Sequence, residues 1–185
     1  MPLFDHFDFA APFYDRAIPF SRLEKMLEVL DLPVSGTLLD AGGGTGRVAA
    51  ALQTSIDRIF LADISTGMLA QARSKKLTAL CSYTETLPFP PDSFERVLMV
   101  DALHHVIDQP ATLRELWRVL KPGGRLVIEE PDIRTSIVKL LALAEKLALM
   151  RSHFISPPQI AALFPPAAKI KIETEGYNAW VIVQK

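Results

Sequence analysis

Residues 38–46, Leu-Leu-Asp-Ala-Gly-Gly-Gly-Thr-Gly, join the end of an apolar run to a glycine-rich turn. Glycine adopts positive φ angles without steric cost and lets a ligand approach the backbone closely. The residues after the turn have a helical pattern, and the first turn of a helix carries unpaired N–H groups. The order of strand, glycine turn and helix therefore predicts a binding site for a nucleotide-like ligand at this turn.

The spacing of the glycines excludes two common nucleotide sites. The dinucleotide fingerprint requires Gly-x-Gly-x-x-Gly, but Gly42, Gly44 and Gly46 are spaced two and two, and the position three after Gly44 is Arg47. A P-loop ends in Gly-Lys-Ser or Gly-Lys-Thr, and this turn has no such ending. Neither an NAD site nor a P-loop is therefore expected.

Two acidic residues strengthen the prediction of a ligand site. Asp63 closes the apolar run of residues 59–62, and an acid at the end of a second strand can accept both hydroxyls of a ribose. Asp40 stands at the start of the glycine turn, where it can face a cationic part of the ligand or cap the loop. The alternative is that both acids are ordinary polar residues at strand ends and that the glycines only make a tight turn.

Short apolar runs alternate with helical patterns on both sides of the turn. Apolar runs without alternation are typical of strands covered on both faces, and helices of about ten residues can connect parallel strands. We expect an α/β fold with a doubly wound, Rossmann-like, seven-stranded, mostly parallel sheet and an antiparallel C-terminal hairpin that turns at Glu175-Gly176. The expected strands cover residues 37–40, 58–62, 78–83, 96–100, 125–129, 168–174 and 177–183, and the expected core helices cover residues 46–53, 66–75 and 110–120.

The flanking segments are expected to complete a single domain of residues 1–185. Residues 1–33 would form a phenylalanine-rich cap segment and a helix, residues 37–130 the ligand-binding core, and residues 131–185 the C-terminal helices and hairpin. A phenylalanine-rich segment is costly to leave in water, so residues 1–20 are expected to fold back over the core.

Three local features carry further expectations. Ser21-Arg22-Leu23-Glu24 has the pattern of a capping box at the start of a helix. A helix of about residues 133–150 is expected to pack on the sheet, with a dimer surface or a cover for a hydrophobic substrate as the alternatives. A short helix is expected near residues 158–164.

Composition narrows the class of protein. The 185 residues carry 20 Lys and Arg against 21 Asp and Glu, a net charge of -1, which argues against a nucleic-acid partner held by phosphate neutralisation. The single Cys81 excludes an intrachain disulfide and a cysteine-built zinc site, and it is expected to be a buried thiol. Because no apolar run approaches about 18 residues, we expect a soluble, cytoplasmic protein without stable membrane insertion.

Several separated motifs resemble those of one enzyme family. They are Leu-Asp-Ala-Gly-Gly-Gly-Thr-Gly (39–46), Ala-Asp-Ile-Ser (62–65), Glu-Thr-Leu-Pro-Phe-Pro (85–90) with Ser-Phe-Glu-Arg-Val (93–97), Leu-His-His-Val (103–106) and Arg-Val-Leu-Lys-Pro-Gly-Gly (118–124). Together they resemble the class I S-adenosylmethionine-dependent methyltransferases, and more narrowly the group similar to ubiquinone and menaquinone biosynthesis methyltransferases. The start, residues 9–16, is similar to the family's segment that folds over cofactor and substrate.

This resemblance implies a set of cofactor contacts. It places Asp40 near the amino group of S-adenosylmethionine, Asp63 on the ribose, and Ile64 and Met68 on the adenine faces. The chain departs from the family at Tyr83, where an acid is common, and a phenol does not reproduce a carboxylate at the adenine edge. The implied cofactor-binding residues are Asp40, Gly42, Gly43, Gly44, Asp63, Ile64, Met68, Thr84, Glu85, Asp101 and Ala102.

Methyl transfer from a sulfonium requires positioning and exclusion of water more than a set of catalytic side chains. If the acceptor must lose a proton, the candidate bases are His104, His105, Asp101 and Tyr14. The histidine pair can equally be a structural turn. No metal site is expected, because the other two of the four histidines show no ligand spacing.

The sequence leaves two classes of function open. The first is a methyltransferase that acts on a small, apolar or aromatic acceptor, in a shallow pocket or one that a second copy in a homodimer completes. The second is a non-catalytic protein that binds S-adenosylmethionine or S-adenosylhomocysteine for regulation.

Overall fold

The protein, represented by a computed structural model, is described over residues 6–147 and 152–185. Within these ranges the chain forms seven helices, seven strands and one short 3₁₀ turn at Leu103–His105. In chain order the elements are α1 His6–Ala17, α2 Leu23–Leu30, β1 Val34–Ala41, α3 Arg47–Leu52, β2 Ile56–Asp63, α4 Thr66–Ser74, β3 Thr78–Cys81, β4 Phe94–Val100, α5 Gln109–Val119, β5 Leu120–Pro131, α6 Ser136–Leu147, α7 Pro157–Ala162, β6 Lys169–Glu175 and β7 Asn178–Gln184.

The seven strands of the described residues form one sheet in the order β3-β2-β1-β4-β5-β7-β6. Strands β1 to β5 pair in parallel, whereas β7 is antiparallel to both β5 and β6. The predicted doubly wound sheet with an antiparallel C-terminal hairpin is confirmed. The chain order reverses between β1 and β4, and a crevice forms outside the carboxyl ends of strands at such a reversal.

Both faces of the sheet are covered, which is why the central strands are apolar without alternation. Neighbouring residues on β1 show the arrangement: Leu38 packs into the cluster with α2, α3 and α4, and Leu39 packs into the opposite cluster with α5 and α7. Both side chains are fully buried. The sheet is therefore a rigid support for the loops at its carboxyl edge.

Within the segment expected to fold back, helix α1 lies over the carboxyl edge and packs against α4, while residues 1–5 lie outside the described residues. Not all of its aromatic surface is removed from water, since Phe9 is 74% exposed and Phe13 68% exposed. Among the described residues no helix is both long and apolar enough to cross a bilayer.

Two local predictions were wrong. The capping box at Ser21 does not form: α2 begins at Leu23 with Arg22 in the N-cap position and without a side-chain cap, and Arg22 is held by an ion pair with buried Glu129. Cys81 is exposed rather than buried, because β3 is an edge strand and Cys81 lies at its end.

The C-terminal helix also differs from its prediction. Helix α6 does not bury an apolar face against the sheet, because Val138 is its only buried residue among those described. The sheet around β5 and β7 is already packed by α2, α5 and α7. Leu140 and Leu147 are therefore exposed, and the predicted continuation to residue 150 lies outside the described residues.

Candidate functional site

A cleft lies at the carboxyl ends of β1, β2 and β4, beneath α1, and contains about 960 Å³ of empty space including its mouth. The structure brings almost all of the predicted site residues to its wall. These are Tyr14, Asp40, Gly42, Gly43, Gly44, Asp63, Ile64, Met68, Thr84, Glu85, Asp101 and Ala102. His104 does not line the cleft, whereas its neighbour His105 does.

The glycine turn has the open geometry that a close ligand requires. Gly44 has a φ of +54°, and a β-carbon added there would meet only the sulfur of Met68, at 3.9 Å. At Gly42 the same addition would come within 2.7 Å of the Ala102 side chain. Gly42 therefore allows close packing of the turn, while Gly44 leaves space for a ligand beside the backbone.

Asp63 holds this turn in place from the end of β2. Its Oδ2 accepts a hydrogen bond from the Gly44 N–H at 2.8 Å, and its Oδ1 accepts one from the Ser65 N–H at 2.8 Å. Ser65 in turn caps α4 by accepting a bond from the Met68 N–H. Each carboxylate oxygen has a second lone pair, so the same acid can brace the turn and accept a further donor.

Asp40 is an unsatisfied acid buried at the base of the cleft. It is only 1% exposed, and neither carboxylate oxygen has a hydrogen-bond partner within the described residues. Burial raises its pKa to about 7, although the charge of Arg47 and the nearby N–H of Ala49, which does not reach hydrogen-bond geometry, favour ionisation. A buried carboxylate without donors is costly, so Asp40 is suited to a cationic or N–H-bearing ligand.

On the β4 side, Asp101 leaves the strand with a strained backbone. Its φ is +51°, a conformation that is uncommon for a residue with a side chain and is often found at functional sites. Its Oδ2 receives a hydrogen bond from the Arg47 guanidinium at 2.8 Å. Arg47, at the start of α3, thus pairs with Asp101 and also acts through its charge on Asp40, a role that the glycine spacing alone did not reveal.

Thr84 and Glu85 join two loops at the cleft. The Thr84 hydroxyl lies 3.2 Å from that of Thr112, and Glu85 Oε1 accepts hydrogen bonds from the Ile107 and Asp108 N–H groups. The loop after β3 is therefore tied to the segment after β4. The adjoining Tyr83 also lines the cleft and is half-exposed.

Helix α1 covers the cleft and is fastened by two acids. Asp8 accepts hydrogen bonds from the Ser65 hydroxyl at 2.5 Å and from the Gly67 N–H at 2.7 Å, and these bonds lower its pKa. Asp15 accepts a bond from the Thr45 hydroxyl and pairs with Lys75. The helix thereby places Phe7 and Tyr14 on the cleft wall, and burial raises the pKa of the Tyr14 phenol.

The two adjacent histidines have different surroundings. His104 is buried, with Nδ1 2.5 Å from Glu130 Oε2 and its ring stacked on Phe154. Burial opposes its protonation, but the charge and hydrogen bond of Glu130 prevail, so the pKa of His104 is raised. Burial and the neighbouring His104 lower the pKa of His105 to about 3. His105 is therefore the neutral imidazole that faces the cleft. The sequence, in which the two histidines are adjacent, did not distinguish their surroundings.

The sequence of the chain also matches those of known proteins. The family described as "Methyltransferase domain" matches residues 39–128. A demethylmenaquinone methyltransferase of Mycolicibacterium vanbaalenii is 37% identical over 125 residues, which are 68% of this chain and 54% of that protein. Residues 39–128 form a methyltransferase domain. The resemblance inferred from the sequence motifs is confirmed.

A second curated relative of this methyltransferase domain is a ubiquinone/menaquinone biosynthesis C-methyltransferase of an Enterobacter species. It is 36% identical over 105 residues, covering 51% of this chain and 42% of that protein. The chain therefore spans about half the length of these curated relatives.

Solved structures show the same fold over almost the whole chain. A methyltransferase of Haloferax volcanii, in a complex with the activator Trm112, aligns with a TM-score of 0.84 at 20% identity and covers 98% of each chain. An S-adenosylmethionine-dependent methyltransferase of Thermotoga maritima aligns with a TM-score of 0.80 at 24% identity, over 97% of this chain and 98% of that one.

Proposed function

We propose that the chain is an S-adenosylmethionine-dependent methyltransferase that methylates a small apolar or aromatic molecule by in-line displacement, with residues 1–185 as its single domain. The observation that carries this proposal is the buried, unpartnered Asp40 carboxylate beside a glycine turn that is open at Gly44. S-adenosylmethionine carries an ammonium group, which is the kind of donor that Asp40 lacks. The match to the methyltransferase domain family supports the same cofactor.

The remaining cofactor contacts follow from the cleft wall. Gly42, Gly43 and Gly44 supply the backbone surface, and Asp63 is proposed to accept the ribose hydroxyls while it continues to brace the turn. The adenine would lie between Ile64 and Met68, with its edge near Thr84 and Glu85, and Asp101 and Ala102 would contact the sulfonium side. When bound, the cofactor supplies an activated methyl group on its sulfur.

The rest of the wall supports an aromatic or apolar acceptor. Phe7 and Tyr14 of α1, together with Val106 and Ile107 from the segment after β4, line the cleft without contributing a charge. Such a lining excludes water and holds a flat, apolar molecule in line with the methyl donor. The curated relatives named as quinone methyltransferases support a ring-bearing acceptor.

Each candidate base is given a role in proton transfer according to its place relative to the cleft wall. Asp101 and Tyr14 lie on the wall and are proposed to contact the acceptor. The Asp101 carboxylate is already paired with Arg47, and the raised pKa of Tyr14 keeps its phenol protonated, so neither is a ready proton acceptor. His104 lies behind the wall and is proposed to act indirectly, by orienting His105. A second copy of the chain, the partner predicted from the sequence, would form a homodimer through the exposed leucines of α6.

The test has two stages. Calorimetry of the full chain with S-adenosylmethionine and S-adenosylhomocysteine should show binding of both, and absence of binding at millimolar concentration would reject the proposal. Formation of S-adenosylhomocysteine is then measured with phenols and hydroquinones as acceptors. Tight binding of both compounds without turnover of any acceptor would favour the alternative, a non-catalytic regulatory protein.

A further inference from the structure

Three side chains that commonly bind metals meet beside the cleft, although they come from separate parts of the chain. His104 and His105 belong to the 3₁₀ turn after β4, and Glu145 belongs to α6. One ligand atom of each lies within 4.8 Å of the others. A small side-chain movement closes this span to the roughly 3.5 Å that separates ligands around a tetrahedral zinc ion.

His104 is held in the manner of a metal-binding histidine. Its Nδ1 is paired with Glu130 Oε2 at 2.5 Å, which leaves Nε2 as the second ring nitrogen. Glu130 is itself fixed, because its Oε1 accepts hydrogen bonds from the N–H groups of Ala102 and Leu103. In metal sites such a carboxylate orients the imidazole and raises its basicity toward the ion.

The Glu145 carboxylate has an oxygen without a partner among the described residues. Its Oε2 is buried and has no hydrogen-bond partner within residues 6–147 and 152–185, and no ion pair of those residues includes it. Its negative charge acts on the His104 ring. A buried carboxylate oxygen without a donor is costly, and a cation between Glu145 and the two imidazoles would remove that cost.

We propose that His104, His105 and Glu145 bind a divalent transition-metal ion of the zinc class. Two imidazoles and one carboxylate suit such an ion and not Mg²⁺, which prefers oxygen ligands. Three protein ligands leave a fourth position open. His105 also lines the cleft, so an ion bound to it would lie at the edge of the space proposed for the acceptor.

The open position suggests the class of acceptor, an inference that rests on the proposed function. A hydroxyl or thiol bound there would lose its proton to solvent more readily, because the ion stabilises the anion. The ion would then give an acceptor anion even though neither Asp101 nor Tyr14 provides a strong base. We therefore infer an aromatic or apolar acceptor that carries a hydroxyl or thiol group.

Metal binding is tested on the full chain after removal of metals with a chelator. Calorimetry with Zn²⁺ and visible spectra with Co²⁺ should show one equivalent bound, with no comparable binding of Mg²⁺. Glu145→Gln and His105→Ala should each weaken Zn²⁺ binding by at least about tenfold. Two exposed residues provide matched controls, Glu175→Gln and His153→Ala, which should bind Zn²⁺ as the wild type does.

Each outcome decides the proposal. Stoichiometric binding that Glu145→Gln weakens supports it, whereas no binding by the wild type, a preference for Mg²⁺, or equal binding by Glu145→Gln overturns it. Thermal melts of every variant show whether it is folded, and His105→Ala gives a second measurement if Glu145→Gln is not.

Two further measurements test metal binding, the open coordination position and cofactor binding independently of one another. Benzenethiol added to the Co²⁺ form should produce sulfur-to-cobalt absorption, and an unchanged spectrum would overturn the open position. S-adenosylhomocysteine binding is measured on the same samples. Intact binding of this compound without any metal binding would refute the metal site and leave the proposed function standing. The reverse would refute the proposed function, and with it the inferred acceptor, and leave the metal site standing.

Discussion

The two walls of the cleft are built in different ways. The wall proposed for the cofactor comes from strand ends and the turns directly after them, because Asp40 lies at the end of β1, Gly44 follows β1, and Asp63 ends β2. The opposite wall is assembled from distant segments, with Phe7 and Tyr14 from α1 and His105 from the turn after β4. The first wall is encoded in short contiguous motifs, whereas the second depends on how separate elements pack.

The largest effect is expected at Asp40, which lies on the wall that is encoded in short motifs. Burial raises its pKa to about 7, so the unfolded chain ionises this acid from about pH 4 upward while the folded chain keeps it protonated until about pH 7. The wild type should therefore lose stability relative to Asp40→Asn as pH rises. The expected change in the difference between their free energies of unfolding is about 2 to 3 kcal/mol between pH 5 and pH 8.

Urea denaturation of both proteins at several pH values measures this difference. At pH 8 Asp40→Asn should also bind S-adenosylmethionine more weakly, because the variant lacks the charge proposed to face the cofactor's ammonium group. The exposed acid Glu175 supplies the control, since Glu175→Gln should change neither quantity. A difference in stability that does not vary with pH would mean that Asp40 is stabilised as an anion in the folded protein.

Asp63 tests whether one acid both braces the turn and contacts the cofactor. Asp63→Ala removes the acceptor of the Gly44 and Ser65 N–H groups, and S-adenosylmethionine affinity should fall by about 1.5 to 3 kcal/mol. Asp57→Ala is a matched control, because Asp57 lies near the other end of the same strand. Unchanged affinity in calorimetry of Asp63→Ala would contradict the assignment of the ribose to β2.

These two acids also show how far the sequence can lead. The strand order and the position of Asp63 follow from apolar periodicity and from the place where each run ends, which are local properties. Cys81 and helix α6 were mispredicted because their burial depends on which strand lies at the sheet edge and which helices already cover β5 and β7. Glu145 gave no signal at all, since its proximity to His104 exists only in the folded chain.

Gly44 can be compared with a second glycine that shares its positive φ angle but lies outside the cleft. Gly44 and Gly123 both have positive φ, and an added β-carbon meets nothing closer than 3.9 Å at Gly44 and nothing within 4 Å at Gly123. Both alanine variants should lose about 1 kcal/mol of stability. Only Gly44→Ala should also weaken S-adenosylmethionine binding, by roughly 1 kcal/mol or more, because its methyl group enters the cleft. Equal cofactor affinities in calorimetry of the two variants would show that the ligand does not approach Gly44.

The smallest effect is expected at Asp8, which fastens the wall assembled by packing. The Asp8 side chain is exposed, so solvent screens its hydrogen bond to the Gly67 N–H and partly screens the one to the hydroxyl of buried Ser65. Asp8→Ala should therefore cost only about 0.5 kcal/mol in global unfolding. Because these bonds hold α1 over the cleft, amide hydrogen exchange within α1 should nevertheless become faster, while exchange in the central strands stays unchanged.

Glu24→Ala, at an exposed acid on α2, is the control and should leave exchange in α1 as it is. If α1 exchanges equally slowly in Asp8→Ala, its position must be set by the remaining contacts, which are those of Asp15 with Thr45 and Lys75 and the packing of Phe7 and Tyr14 into the cleft. This wall would then be as firmly built as the wall formed by the strand ends.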